Sequence, residues 1–155
     1  LRVTLSQTVK DPQDVTRKLG LPVLGTIPAT NGDNIKEELL IRSSELSEAY
    51  SSVRTNLTFL TPSGAPHVLM LTSSVPAEGK SISSLALATS FVHLGKRTLL
   101  IDADLRNSGM ADVFGQDIGK KGGLAALLSG NATALANQVV PIEEFGIDFL
   151  PHGRT

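Results

Sequence analysis

The chain has 155 residues, about one domain, and 41% of them are hydrophobic, which is enough for a core built mainly from aliphatic side chains. Fourteen basic and fifteen acidic residues give a formal net charge of −1, so the charge balance does not favour nucleic-acid binding. The absence of cysteine excludes disulfides and thiolate metal sites, and no apolar run reaches the roughly 18 residues of a membrane-spanning helix.

The first quarter of the chain predicts a helix, an edge strand and a connection. Asp11 is a suitable N-cap, Pro12 suits the first helical position, and Gly20 ends the helix. The apolar run 21–28 is bounded by prolines, which predicts an edge strand. Residues 29–41 predict a flexible connection.

An amphipathic helix is predicted over residues 44–60, with Ser44 as its cap. One face of a 3.6-residue period carries Leu46, Ala49, Tyr50, Val53, Leu57 and Leu60. We interpret Tyr50 as a packing residue on that face.

The middle of the chain has the pattern of a phosphate-binding loop. The apolar run 68–71 predicts a buried strand, and residues 81–94 predict a helix that is apolar on all sides and therefore buried between the sheet and another helix. The loop between them ends in Gly79, Lys80 and Ser81. Backbone N–H groups and the positive end of the helix dipole favour the anionic phosphates at this position. Glycine allows close backbone approach, lysine reaches the terminal phosphates, and the serine hydroxyl binds Mg²⁺.

A second strand is predicted at 98–101, and it runs into Asp102 and Asp104. In a parallel βαβ unit both strands end at the same edge of the sheet, so these carboxylates should lie beside the phosphate loop. A cation site next to a phosphate site is what nucleotide chemistry requires. The alternative interpretation is a solvated acidic turn beside an ordinary helix start.

The last third predicts short helices at 110–114, 124–128 and 132–138 and a strand at 147–150. The cluster 119–123 is interpreted as a turn with exposed lysines, because no strand precedes it. The three histidines, at 67, 93 and 152, lack ligand spacing and are interpreted as ordinary residues. The alternating order of strands and helices predicts an α/β fold, a parallel β-sheet flanked by helices of the P-loop NTPase type.

Four of these segments resemble the bacterial tyrosine kinases (BY-kinases). Residues 72–81 resemble their Walker A loop, and 99–106 resemble their Walker A′ motif, an apolar triplet followed by Asp-x-Asp-x-Arg. Residues 47–57 resemble the helix that precedes the kinase core, and 9–25 resemble the segment that joins the core to the membrane part. The resemblance covers nearly the whole chain.

The resemblance implies two regions and a piece of a longer protein. Residues 1–42 would be the linker, N-terminal helix and edge strand, and 43–155 the P-loop kinase core, interrupted before Walker B. Such a piece is expected to be catalytically incomplete. The non-methionine start and the strand close to the last residue agree with this expectation.

The same resemblance implies a function: an ATP- and Mg²⁺-dependent tyrosine autokinase that regulates exopolysaccharide polymerisation and export. The implied partners are other copies of the chain in a ring, a transmembrane polysaccharide co-polymerase segment or subunit, and a tyrosine-rich tail as substrate. No nucleic acid is implied. The implied location is the cytoplasmic face of the inner membrane.

Roles for individual residues also follow from the resemblance. Lys80, Asp102 and Asp104 would be catalytic, with Asp102 orienting or deprotonating the tyrosine hydroxyl. The cation would be held by Ser81, Asp104 and Asp102. The nucleotide would be bound by Ser74, Val75, Pro76, Ala77, Glu78, Gly79, Lys80, Ser81, Ile82 and Arg106.

The chain also departs from the family pattern. Ser74 replaces the first glycine of the loop, Ile82 replaces a threonine, and Ala77 replaces a glycine, at a cost of about 1–2 kcal/mol if its φ is positive. Ser51 replaces an arginine of the Glu-x-x-Arg-x-x-Arg pattern, which weakens the prediction of a ring. Two alternatives therefore stay open: a partitioning or septum-positioning ATPase, and a degenerate, non-catalytic scaffold.

Overall fold

Six helices and three short strands form the part of the chain that the computed structural model describes, residues 9, 11–30, 34–106, 108–115, 117–118 and 122–153. The helices are α1 (Pro12–Leu19), α2 (Ile35–Leu40), α3 (Glu45–Phe59), α4 (Lys80–Val92), α5 (Met110–Phe114) and α6 (Gly123–Leu128). The strands are β1 (Leu99–Ile101), β2 (Val140–Ile142) and β3 (Ile147–Leu150). None of the helices in these residues combines the length and the apolar character that a membrane span requires.

The predicted boundaries of α1 and α3 are confirmed by their caps. The side chain of Asp11 accepts from the N–H of Gln13, and Gly20 ends α1 in the left-handed conformation. The hydroxyl of Ser44 accepts from the N–H of Ser47 at the start of α3. On the predicted apolar face of α3, Leu46, Tyr50 and Leu57 are buried and Ala49 and Val53 are half-buried. Leu60 lies beyond the last helical residue and is exposed.

The sheet is mixed, so the predicted parallel arrangement holds for β1 and β3 but not for β2. Its strand order is β1-β3-β2, with β1 parallel to β3 and β2 antiparallel to β3. Only four residues join β2 to β3: the 3₁₀ turn Glu143–Phe145 and Gly146. A connection this short can only reverse the chain, because a parallel crossover needs a dozen or more residues.

Helix α4 lies between the sheet and α3, as predicted from its apolar circumference. Residues 85–90 of α4 are all buried, and α4 contacts α3, β1 and β3. Phe149 of β3 is fully buried and packs against Phe114, with ring centroids 5.0 Å apart. This packing fixes the start of α4 relative to the ends of β1 and β3.

The predicted buried strand at 68–71 is wrong. These residues form no strand, and the side chains of Val68 and Met70 are 86% and 88% exposed. An extended segment becomes a strand only when a neighbour takes up its backbone hydrogen bonds. Within the described residues no strand pairs with the run 68–71.

The predicted edge strand at 21–28 is also wrong. Two prolines remove backbone donors from this run, and it packs on α3 as irregular chain instead. Asn56 Nδ2 donates to the carbonyl oxygen of Leu24 at 2.7 Å, and Gly25 approaches Val53 so closely that a Cβ would lie 2.7 Å from its Cγ2. The side chains of α3 therefore hold the segment where a strand partner was expected.

Three further differences concern short elements. The connection predicted at 29–41 contains α2, anchored by the buried Leu39. The helix predicted at 132–138 is a single 3₁₀ turn, Leu135–Asn137. The glycine-lysine cluster predicted as a turn lies outside the described residues at 119–121, and its last two glycines open α6.

Tyr50 joins α3 to α4 through its hydroxyl, which lies 2.8 Å from Ser83 Oγ. Replacing Tyr50 with phenylalanine should lower the free energy of unfolding by about 1 kcal/mol, because the partly buried hydroxyl of Ser83 loses its hydrogen-bond partner. Urea unfolding would measure the change. Ser83→Ala should give a similar loss, and the double variant should lose little more than either. The control Ser52→Ala, at an exposed hydroxyl on α3, should change stability by less than about 0.5 kcal/mol.

The same tyrosine predicts a pH dependence of stability. Burial raises the pKa of Tyr50 above its ordinary value of 10.0. The unfolded chain therefore loses this proton at a lower pH than the folded chain does, so stability should fall as pH rises above about 10. Tyr50 is the single tyrosine of the chain, and Tyr50→Phe should remove this part of the alkaline decline.

Candidate functional site

The phosphate-loop sequence forms a turn that leads directly into α4. Gly79 caps the helix with a φ of 83°, and the first helical bond runs from the N–H of Ser83 to the carbonyl oxygen of Gly79 at 2.8 Å. The N–H groups of Lys80, Ser81 and Ile82 therefore precede the first helical donor, at the positive end of a 13-residue helix. A Cβ on Gly79 would meet no atom within 4 Å, so the space beside the helix start is open.

Ala77 adopts a positive φ of 65°, and it is the one non-glycine residue with positive φ in the described residues. The cost of about 1–2 kcal/mol that was expected for alanine at a positive φ therefore applies at this position.

Replacing Ala77 with glycine should raise the free energy of unfolding by about 0.5–1 kcal/mol, since relief of strain outweighs the entropy gained by the unfolded chain. Urea unfolding is the measurement. Ala134→Gly is the matched control: Ala134 is exposed with φ −117°, so glycine should destabilise there. Equal destabilisation by both changes would contradict the prediction.

Glu78 closes the loop on itself. Its carboxylate accepts from the N–H of Ser74 at 2.8 Å, from the hydroxyl of Ser74 at 3.0 Å and from the N–H of Val75 at 3.3 Å. These hydrogen bonds, with that of Val75 the largest contributor, lower the pKa of Glu78. The serine in place of the first glycine thus supplies two of the donors that hold the loop.

Lys80 and Asp104 meet across the gap between α4 and the end of β1. The Nζ of Lys80 lies 2.9 Å from Oδ2 of Asp104, and both side chains are about one-third exposed, 34% and 32%. The structure thus brings together the two predicted motifs, which are 24 residues apart in sequence. Asp104 also accepts from the N–H of Arg106, whose side chain is exposed.

Asp102 is buried, with 7% of its surface exposed, and both of its oxygens are engaged. Oδ1 accepts from the N–H of Asp104 at 3.1 Å, and Oδ2 accepts from the hydroxyl of Ser108. His152 Nδ1 lies 3.5 Å from the same Oδ2. His152 was interpreted from sequence as an ordinary residue, and the structure places it in this cluster.

Gly109 brings the chain after Asp104 against the start of α4. A Cβ at Gly109 would lie 2.7 Å from the hydroxyl oxygen of Ser81. The hydroxyl predicted to bind Mg²⁺ therefore lies next to the turn that follows the second motif. Ile82, the other substituted position, is partly buried against the core.

These groups suit Mg²⁺-bound ATP. A lysine, a row of helix-start N–H groups and open space at a left-handed glycine fit a polyphosphate. A serine hydroxyl and one or two carboxylates fit Mg²⁺, which prefers oxygen ligands and takes its other ligands from water and phosphates. No cluster of three or more His, Asp or Glu side chains suited to a metal occurs in the residues that the structure describes.

Comparison with known proteins gives relatives that are named as tyrosine-protein kinases. No family model matches the chain. EpsB of Ralstonia solanacearum, which bears the name of a tyrosine-protein kinase, is 33% identical over 169 residues, covering 99% of this chain and 22% of EpsB. Tyrosine-protein kinase CpsD of Streptococcus agalactiae is 41% identical over 99 residues, covering 63% of this chain and 42% of CpsD.

Solved structures give the same result for the fold. The BceF tyrosine kinase domain superposes with a TM-score of 0.74 at 29% identity, covering 94% of this chain and 63% of that domain. The kinase domain of Escherichia coli tyrosine kinase ETK superposes with a TM-score of 0.78 at 24% identity, covering 95% of this chain and 60% of that domain, and shows the shared fold.

The fold is therefore the one found in tyrosine kinase domains of bacteria. With the sequence similarity added, the chain belongs to the bacterial tyrosine kinase (BY-kinase) family. The chain spans 22% of the length of EpsB and 42% of the length of CpsD.

Proposed function

We propose that the protein containing this chain is an Mg²⁺- and ATP-dependent tyrosine autokinase, and that residues 72–106 contribute its phosphate and cation site. The observation that carries the proposal is the 2.9 Å contact between Lys80 and Asp104, which joins a phosphate-binding group to a cation-binding group. Phosphoryl transfer depends mainly on positioning and on neutralising charge, and these groups can supply both.

Each residue has a proposed task. The N–H groups at the start of α4 and Lys80 hold the phosphates, while Ser81 and Asp104 hold the cation. When bound, Mg²⁺-ATP supplies the phosphoryl group. Asp102 orients the tyrosine hydroxyl and accepts its proton as the new oxygen–phosphorus bond forms and the bond to ADP breaks. Loop residues 74–79 and Ile82 shape the site, and Arg106 lies at its exposed margin.

By resemblance to the family, we also propose a biological setting. The complete protein would regulate exopolysaccharide polymerisation and export at the cytoplasmic face of the inner membrane. It would act with a transmembrane co-polymerase segment or subunit, with other copies of itself, and on a tyrosine-rich tail. The division into a leading region, 1–42, and a kinase core, 43–155, belongs to the same proposal.

The test is a calorimetric titration of the full-length protein with ATP, in Mg²⁺ and again in EDTA, followed by phosphotyrosine detection. Binding that requires Mg²⁺, together with phosphotyrosine on the protein, is the expected result. Binding and hydrolysis without phosphotyrosine would instead favour a plain ATPase. No binding under either condition would overturn the proposal and favour a non-catalytic scaffold.

A further inference from the structure

One oxygen of Asp102 is contacted by two side chains from distant parts of the sequence. Ser108 donates its hydroxyl to Oδ2, and His152 Nδ1 lies 3.5 Å from that oxygen. The carboxylate itself is buried, while the histidine side chain is 25% exposed.

The hydroxyl of Ser108 is held in its direction. Ser108 Oγ accepts from the N–H of Met110 at 3.1 Å, at the first residue of α5. Because this hydroxyl oxygen accepts from a fixed backbone donor, its own O–H remains available as a donor. It donates a hydrogen bond to the carboxylate of Asp102. Gly109, between these two residues, packs against Ser81.

The backbone of His152 is equally fixed. His152 leaves the end of β3, and its carbonyl oxygen accepts from the N–H of Ala125 at 2.8 Å. The preceding carbonyl, of Pro151, accepts from the N–H of Leu124 at 2.8 Å. The first turn of α6 therefore holds the backbone that follows β3, and this fixes the position from which the His152 side chain extends.

Asp102 needs such partners because the terminal torsion of an aspartate side chain has a broad, shallow preference. We propose that Ser108 and His152 are positioning residues that fix the orientation of the Asp102 carboxylate for phosphoryl transfer. This inference rests on the function proposed above. Oδ1 is held separately, by the N–H of Asp104, so loss of Ser108 or His152 removes one of the two side-chain contacts that hold Oδ2.

The experiment measures initial rates of autophosphorylation by the full-length protein at varied Mg²⁺-ATP. Ser108→Ala and His152→Ala should each lower kcat by about 10-fold or more, while KM for ATP changes by less than about 2-fold. A loss of about 10-fold or more is usual when a residue that orients a functional side chain is removed. His152→Asn should recover most of the loss, since its amide can place an N–H near the position of Nδ1. The exposed-site controls Ser52→Ala and His67→Ala should leave kcat unchanged.

A double-mutant cycle with Asp102→Asn separates positioning from general damage. If both residues act through Asp102, adding Ser108→Ala to Asp102→Asn should cost little further rate. Unchanged kcat in both alanine variants, or losses that add fully to that of Asp102→Asn, would overturn the inference. If His152→Ala does not fold in a thermal melt, Ser108→Ala, His152→Asn and the cycle carry the same test. A wild-type protein without Mg²⁺-dependent ATP binding would refute the proposed function instead.

Discussion

Replacing Lys80 with alanine in the full-length protein should lower its affinity for Mg²⁺-ATP at least about 100-fold, equal to about 2.7 kcal/mol. Lys80 is the cation placed at the helix start where the terminal phosphates are expected, and hydrogen bonds between charged groups are the strong ones. Calorimetric titration with ATP in Mg²⁺ would measure the change.

Stability should respond differently to the same substitution. The Lys80–Asp104 pair is one-third exposed, and ion pairs of this kind contribute at most about 1 kcal/mol. Lys80→Ala should therefore unfold at nearly the wild-type urea concentration. Lys96→Ala, which removes an exposed lysine beyond the other end of α4, is the matched control and should bind ATP normally. Equal affinities for Lys80→Ala and wild type would refute the phosphate-binding role.

Replacing Gly153 with alanine should destabilise the fold by more than about 3 kcal/mol. Gly153 has a φ of 82°, which costs an L-residue about 1–2 kcal/mol, and an added Cβ would overlap the carbonyl oxygen of Gly122. Both partners are backbone, so neither can move aside as a side chain would. Overpacking then adds about 1–3 kcal/mol or more.

Gly130→Ala is the control for this prediction. Gly130 also has a positive φ, 75°, but a Cβ there would meet no atom within 4 Å. It should therefore show the conformational cost alone, about 1–2 kcal/mol. Urea unfolding and the soluble yield of the two variants would be compared. Similar midpoints would mean that the strand exit after β3 can shift, and the fixed placement of His152 would then lose its support.

Local signals were sufficient for the helices with clear ends. Asp11, Gly20 and Ser44 set the ends of α1 and α3 because caps act within a few residues. The apolar circumference of α4 predicted its buried place for the same reason. Helix α2 was not predicted, because the turn-forming residues just before it favoured a loop. In the structure its Leu39 side chain is buried in the core.

Strands were harder because a strand depends on a neighbour that the run itself does not name. The runs at 21–28 and 68–71 were also predicted as strands, yet of these three segments only β1 pairs with another strand, β3. Strand β2 was not among the predicted elements, so the antiparallel pair that makes the sheet mixed could not be deduced from their order.

The candidate site was predictable to the same degree. A predicted βαβ unit placed Asp104 near Lys80, and the two side chains do meet, although the first strand of that unit, at 68–71, does not form. The rule that parallel strands end at one edge also applies to His152, which follows β3 just as Asp102 follows β1. Applied to both strands, it would have placed the histidine beside the carboxylate. No rule from the sequence would have identified Ser108, because the orientation of its hydroxyl depends on a hydrogen bond from the N–H of Met110.

The pairing of β1 with β3 has a consequence for the order of folding. Leu99 lies opposite Asp148, so this contact must close a long loop, whereas β2 meets β3 across a single 3₁₀ turn. Loop closure costs entropy before any contact repays it, and local contacts form faster than distant ones. The β2–β3 hairpin should therefore form early and β1 should join it late. Asp102 and His152 meet only when β1 arrives, so the acidic half of the site is among the last features of this domain to assemble.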